Sequence, residues 1–162
     1  MRPQGRLAAL HALLTLLPLL LALLLAGCRT PPAPPLDLHG PGWLVRQGQA
    51  VWTAGEGEQG VAGELLVACG PGGACFVQFA KPPFTIVTAQ AKAETWTVEM
   101  PQARRRFEGR SRAPAQFVWF ALAEAISGET LGAGWQFTRA EADGWRLANP
   151  ATGESLEGYF TP

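Results

Sequence analysis

The sequence predicts a mainly β domain of the α+β class, in which a curved antiparallel sheet, or incomplete β-barrel, is covered by one helix. Beyond residue 42, short apolar runs alternate with turn residues rich in Gly and Pro, which is typical of antiparallel strands. One longer apolar segment follows Pro114 and ends at Gly128, which predicts a single helix. The apolar residues of successive strands can be placed on one face, and a helix is available to cover that face.

The N-terminal 27 residues differ in composition from the rest of the chain. They hold 12 of the 21 leucines behind a basic start that contains Arg2 and Arg6, and they predict a secretory signal peptide at 1–27. The whole chain has 13 Lys+Arg and 13 Asp+Glu, so removal of this segment leaves a slightly acidic protein. A general nucleic-acid binder needs a basic excess, so we expect no nucleic-acid partner.

The predicted signal ends in Leu25-Ala26-Gly27-Cys28, which resembles the bacterial lipobox in all four residues. This resemblance implies cleavage before Cys28, acylation of its sulfur and usually of its amine, and anchoring to a lipid bilayer. Two or three acyl chains anchor a protein durably. Arg29, rather than Asp, follows the cysteine, and under the sorting rules of enterobacterial lipoproteins this implies the outer membrane. Two alternatives remain. The segment is an ordinary export signal in which the cysteine is incidental, or it is a membrane anchor that is not cleaved.

The segment 28–42 is expected to be an acylated cysteine followed by an extended, proline-rich tether. It contains His39, the one histidine outside the signal. A catalytic triad requires an imidazole held by a rigid scaffold, and a zinc site requires several convergent ligands. We therefore predict that the protein is not an enzyme and binds no metal or cofactor.

The domain at 43–162 is predicted to contain nine strands and one helix. The helix is expected at 115–127, with Phe117, Phe120 and Ile126 on its apolar side. The strands are expected at 43–53, 61–69, 75–81, 84–90, 94–100, 104–110, 135–139, 145–149 and 156–160.

Two cysteines fix the predicted register of the second hairpin. Cys69 and Cys75 flank a glycine-rich turn, and in an oxidising compartment we expect them to form a disulfide. If they lie opposite each other, Val67 faces Val77 and Leu65 faces Phe79.

Continued through the next two turns, this register predicts that Phe79 faces Ile86, that Ile86 faces Val98, and that Phe84 faces Met100. Four strands then share one apolar face. The space between this face and the helix is either a solid core or a cavity. If it is a cavity, its candidate lining residues are Phe79, Ile86, Trp96, Val98, Phe117 and Phe120.

The segments FVQF, PF and W…MP between residues 76 and 101 are similar to the LolA/LolB group of periplasmic lipoprotein carriers and receptors. The segment from Pro114 to Gly128 and the Trp145-Arg146-Leu147 segment also resemble that family. The resemblance implies an incomplete barrel whose hydrophobic cavity accepts the acyl chains of lipoproteins from a soluble carrier. It also implies a protruding hydrophobic residue in the proline turn, where Phe84 stands. This chain departs from the family because it ends early and carries the cysteine hairpin.

Arginines crowd the segment around the sixth predicted strand: Arg104, Arg105, Arg106, Arg110 and Arg112. They could meet lipid phosphates or an acidic partner. The alternative is a solvated edge strand whose charges discourage pairing with other chains.

Together these features predict a lipid-anchored, LolB-like receptor or carrier for acylated ligands in the bacterial envelope, on the periplasmic side of the outer membrane. The alternatives are a structural or adaptor lipoprotein with a filled core and, third, an enzyme inhibitor that probes with the CGPGGAC loop.

Overall fold

Nine β-strands and one α-helix make up the part of the chain that the computed structural model describes, residues 36–38, 40–132, 134–140 and 143–162. The predicted signal peptide, Cys28, His39 and most of the predicted tether lie outside these residues. The helix is α1 (Val118–Ser127). The strands are β1 (Leu44–Thr53), β2 (Val61–Cys69), β3 (Cys75–Lys81), β4 (Phe84–Lys92), β5 (Thr95–Met100), β6 (Arg105–Gly109), β7 (Gln136–Arg139), β8 (Gly144–Ala148) and β9 (Ser155–Phe160).

All nine strands belong to one open antiparallel sheet in the order β6-β5-β4-β3-β2-β1-β9-β8-β7. Strands that are consecutive in sequence pair with each other except β6 and β7, which are the two edges of the sheet. The remaining pairing joins β1 to the last strand, β9. The predicted mainly β antiparallel fold is confirmed, and each predicted strand lies within two residues of an observed one.

One face of the sheet, called the inner face here, packs against α1. The helix is buried almost all round, because residues 118–123 are each between 0 and 5 % exposed. Its Trp119 contacts Trp52 of β1 at 5.2 Å and Phe79 of β3 at 5.6 Å between ring centroids, and its Phe120 contacts Trp96 of β5 at 6.2 Å. The helix therefore contacts both β1 and β5, which are separated by three other strands in the sheet. One helix can reach both strands because the sheet curves around it.

The helix begins three residues later than the expected start at 115. Phe117 is its N-cap, with an extended backbone, and the preceding residues form a turn in which the Phe117 amide donates to the Pro114 carbonyl. Trp135 Nε1 donates to the Ala115 carbonyl at 2.6 Å. In a helix that began at residue 115, this carbonyl would accept from a backbone amide one turn later instead. Gly128, in the left-handed conformation, ends the helix as predicted.

The predicted register of the β2–β3 hairpin is confirmed. Cys69 lies opposite Cys75, Val67 opposite Val77, and Leu65 opposite Phe79. The adjacent Gly63 is required by close approach, since a Cβ there would lie 2.9 Å from the Phe79 ring.

The predicted register beyond Phe79 is wrong. Phe79 pairs with Val87 and Ala80 with Thr85, so Ile86 is the extra residue of a β-bulge. The bulge shifts the alternation by one residue, and Val87, Ala89 and Ala91 become the buried residues of β4.

The predicted register between β4 and β5 is also wrong, because their turn is one residue shorter than expected and Lys92 pairs with Thr95. Val98 therefore faces Ala89 rather than Ile86. Phe84 and Met100 do not pair with each other: Phe84 faces Lys81 at the β3–β4 turn, and Met100 faces Arg105 of β6.

The segment Pro35–Pro162 forms a compact unit of its own. Every strand pairing, the helix and the buried core described above lie inside it. The domain therefore carries all of the burial that stabilises this fold, and it is expected to fold without the preceding residues.

Candidate ligand site

The six residues predicted to line a cavity lie under and around the helix, in packed surroundings. Phe79 and Val98 are fully buried, Phe120 is 2 % exposed, and Ile86, Trp96 and Phe117 pack partly buried against the core. The Trp96 and Phe117 ring centroids are 5.6 Å apart, and Phe117 is 6.1 Å from Phe120. These side chains fill the space between α1 and β3–β5 with one another. A ligand among them stays a prediction.

An opening exists instead between the C-terminal turn of α1 and the last three strands. This inner cavity has a volume of about 260 Å³, and its apolar walls are Leu44, Ile126, Phe137, Trp145 and Phe160. Arg46, Arg139 and Asp143 also line it, together with the chain end at Thr161 and Pro162. It lies beside the first residue of β1, which is where the predicted tether joins the sheet.

Strand alternation places these side chains on the inner face. On β1, Leu44 and Arg46 occupy the same face as buried Ala50. On β7, Phe137 lies opposite buried Leu147, and Arg139 lies opposite Trp145. Each of the two strands therefore contributes one apolar side chain and one guanidinium to the cavity.

Three stacked aromatic rings form the floor of the inner cavity. Trp145 and Phe160 have ring centroids 5.3 Å apart at an interplanar angle of 22°, and Phe137 stacks on Trp145 at 6.4 Å and 23°. Trp145 is only 4 % exposed, yet its Nε1 has no hydrogen-bond acceptor among the described residues. A buried donor without an acceptor costs about 1–3 kcal/mol, so an acceptor supplied by a ligand or a water would stabilise this site.

The sequence analysis did not identify these floor and wall residues. Their signal was present, since alternation in β7, β8 and β9 places Phe137, Trp145 and Phe160 on apolar faces. What was missing is the pairing of β1 with β9, which joins strands more than 100 residues apart. That pairing brings Leu44 and Arg46 to the same cavity as the C-terminal strands.

The two cysteines at the β2–β3 turn lie directly opposite each other and are free thiols in this structure. Opposed residues in an antiparallel pair have Cα atoms about 4.5–5.5 Å apart, within the range that a disulfide requires. Burial raises the pKa of Cys69 to about 11 and that of Cys75 to about 12. The Cys69 thiol donates to the Ala123 carbonyl of α1 at 3.4 Å. The position is the predicted one, and the disulfide itself stays a prediction.

Phe84 is exposed, which contradicts the inward position that the predicted register gave it. It stands at the β3–β4 turn with 58 % of its surface accessible, opposite exposed Lys81 and past the last buried pair of the hairpin, Phe79 and Val87. Exposure is what the LolB resemblance implies for this residue. A membrane-contacting role stays a prediction.

The arginine-rich strand β6 is an edge of the sheet. Arg106 forms ion pairs of 2.9 Å with Glu99 and Glu108 on the outer face, and Arg112 contacts Glu124 of α1 at 3.2 Å. Two of the five arginines of this segment are therefore paired with glutamates, and the segment lies at a solvent-exposed edge.

Two other openings have different character. A hairpin cavity of about 420 Å³ lies beside Cys69, Cys75 and the Arg112–Glu124 pair. An outer groove of about 920 Å³ crosses the convex side of the sheet between the β3–β4 turn and β8. Charged residues line this groove, namely Glu64, Lys81, Arg146 and Glu157, and it is open to solvent. The inner cavity is the one with an aromatic floor.

No protein-family model matches the chain, and no curated protein matches it. Among the residues that the structure describes, no three His, Cys, Asp or Glu side chains come together as metal ligands would. Within the same residues, no helix has the length and hydrophobicity needed to span a membrane. The geometry of the inner cavity is therefore the basis for assigning a function.

Proposed function

We propose that this protein is a lipid-anchored envelope protein that binds acyl chains, with a LolB-like role as a receptor or carrier of acylated lipoproteins. The protein would be anchored through acylated Cys28 and would be located on the periplasmic side of the outer membrane. A soluble periplasmic carrier would deliver the cargo, and no chemical step is involved. The observation that carries the proposal is the inner cavity, which has an aromatic floor and apolar walls and lies beside the strand that follows the predicted tether.

The dimensions of the cavity set what it can hold. Small-molecule sites are typically about 300–1,000 Å³, so a space of about 260 Å³ suits part of one acyl chain rather than several chains at once. Burial of each methylene contributes about 0.8 kcal/mol. Two further methylenes therefore strengthen binding roughly tenfold, until the cavity is full.

The exposed Phe84 supports the membrane part of this role. It lies at the β3–β4 turn, whereas the inner cavity lies beside Leu44 at the opposite end of β2 and β3. An exposed aromatic ring can enter the interfacial region of a bilayer. In this proposal Phe84 contacts the acceptor membrane while the cavity holds the chain.

The packed aromatic cluster under the helix favours a second candidate function. With Phe79, Val98 and Phe120 buried against α1, most of the interior is filled, as expected for a structural or adaptor lipoprotein that binds partners through its surface. The two functions differ in whether the inner cavity takes a ligand.

The proposal is tested by titrating the domain from residue 35 onward with N-phenyl-1-naphthylamine, an uncharged dye that fluoresces in apolar sites. Octanol, decanol and dodecanol should then displace the dye with increasing affinity, and still longer alcohols should bring no further gain.

A matched pair of variants locates the dye. Leu44 and Val45 are adjacent on β1 and each is 40 % exposed, but Leu44 lines the inner cavity and Val45 points to the outer face. Leu44→Trp should block the cavity and weaken dye binding at least tenfold, while Val45→Trp should leave it unchanged. Absence of dye binding to the wild-type domain would favour the adaptor function instead.

A further inference from the structure

The inner cavity carries positive charge at its rim in a pattern that apolar binding alone does not require. Arg46 follows the wall residue Leu44 by two positions on β1, and Arg139 follows the floor residue Phe137 by two positions on β7. Each guanidinium group therefore shares the inner face with an apolar side chain of its own strand. A ligand whose tail lies on the apolar residues would have guanidinium groups within reach of its head group.

Unlike three other arginines of the domain, the two rim arginines have no carboxylate partner among the described residues. Arg106, Arg112 and Arg146 each form an ion pair with a glutamate. Arg46 and Arg139 form none with any residue that the structure describes. Among the side chains that line the cavity in the described residues, Arg46 and Arg139 are the two cations and Asp143 is the one anion.

The unpartnered donor of Trp145 adds a second, independent requirement for an acceptor. Trp145 lies directly opposite Arg139 in the β7–β8 pair, so their side chains share the inner face with Cβ atoms about 4.5–5.5 Å apart. Its buried Nε1 has no acceptor within the described part of the chain. One ligand oxygen near this position can accept from the indole while the head group pairs with the guanidinium.

From these observations, and resting on the proposed function of the cavity, we infer that it selects single-chain anionic amphiphiles. The apolar chain lies on Phe137, Trp145 and Phe160, and the head-group oxygens accept hydrogen bonds from Arg46 and Arg139. Arginine binds carboxylate and phosphate oxygens with two parallel hydrogen bonds, so both head groups belong to the class. Fatty acids and monoalkyl phosphates are its simplest members.

The test compares ligands that share one chain and differ in head group. The domain from residue 35 onward, loaded with N-phenyl-1-naphthylamine, is titrated with dodecanoate, dodecyl phosphate, dodecanol and dodecyltrimethylammonium below their micelle concentrations. Dodecanoate should displace the dye at a concentration at least tenfold lower than dodecanol does. That preference should shrink at high salt, because the rim arginines are exposed.

Variants of one hairpin assign the preference to a residue. Arg139→Gln should lower the affinity for dodecanoate several-fold, while the affinity for dodecanol stays unchanged. Arg139→Lys, which keeps the charge, should retain most of the preference. Arg146→Gln is the control, because Arg146 lies on the outer face of β8 and pairs with Glu157. It should leave both affinities unchanged.

The outcomes separate this inference from the proposed function beneath it. Displacement by dodecanoate and dodecyl phosphate alike, or by dodecanoate alone, supports anionic selection and tells which head group is preferred. Equal displacement by dodecanoate and dodecanol, or preference for the cationic ligand, overturns the inference and leaves the acyl-binding function standing. If no ligand displaces the dye, the acyl-binding function fails as well.

Discussion

Truncation of Phe79 tests the packing of the helix against the sheet. Phe79 is fully buried, its ring stacks on Trp119 of α1, and Gly63 leaves room for it. Phe79→Ala removes both the burial and the stacking, so we expect a loss of about 3–5 kcal/mol in the free energy of unfolding. Phe84→Ala is the matched control on the same hairpin. Because Phe84 is 58 % exposed, its truncation should change stability by less than about 0.5 kcal/mol.

The assay is urea unfolding followed by tryptophan fluorescence and far-ultraviolet circular dichroism. For a slope of about 2 kcal/mol per molar urea, the expected loss lowers the midpoint by roughly 2 M for Phe79→Ala. If this variant does not fold, Val77→Ala is a milder test at a residue that is also fully buried. A midpoint shift below about 0.5 M for Phe79→Ala would contradict a solid helix–sheet interface.

Three further predictions concern other parts of the domain. Gly63→Ala should cost about 1–3 kcal/mol, because the new Cβ would lie 2.5 Å from a backbone carbonyl oxygen of β3. In native protein made under reducing conditions, Cys69 and Cys75 should resist Ellman's reagent at pH 8, because burial raises both pKa values to about 11 or above. After unfolding without reductant, protein exported to the periplasm should show neither of these thiols, and protein made under reducing conditions should show both. Burial raises the pKa of Glu154, which accepts from Trp52 Nε1 at 3.0 Å. A carboxyl group with a raised folded pKa destabilises the fold above that pKa, so Glu154→Gln should match or exceed the wild-type melting temperature at pH 7. This difference should vanish as the pH falls towards 4.5.

Each of these predictions has a control and a contradicting result. Gly55→Ala meets no atom closer than 3.6 Å and should be nearly neutral, so an equal loss at both glycines would refute the close-approach argument. Two reactive thiols in exported, unfolded protein would refute the disulfide, which is expected to contribute about 2 kcal/mol for so short a loop. A stability difference between Glu154→Gln and wild type that does not change with pH would refute the titration argument.

Local patterns in the sequence were enough to predict the strands, the single helix and the cysteine hairpin. Turn residues and alternation mark each strand, and the facing cysteines fixed one register correctly. The bulge at Ile86 was not predictable in this way, because an extra residue in β4 leaves the apolar pattern readable in two registers. Ile86 and Val87 are both apolar, and packing against the helix decides between them.

The location of the candidate site was not predictable from local patterns either. The predicted register placed it near Trp96 and Phe117, whose rings pack against each other in the structure. The inner cavity depends on the pairing of the first and last strands, which joins Gly48 to Phe160. Contacts so distant in sequence leave no mark in short windows, so a correct set of strands did not identify the correct cavity.

The most direct test of the acyl-binding account is to identify the molecules that the protein retains in a cell. The full chain is expressed with its own N-terminus in a bacterial envelope. It is then purified in a mild detergent, and its retained molecules are identified by mass spectrometry beside Leu44→Trp and Val45→Trp. We predict acylated molecules with the wild type and with Val45→Trp, beyond the chains on Cys28, and a strong loss with Leu44→Trp. Equal retention by all three proteins, or by none, would contradict the inner cavity as a site for acyl chains.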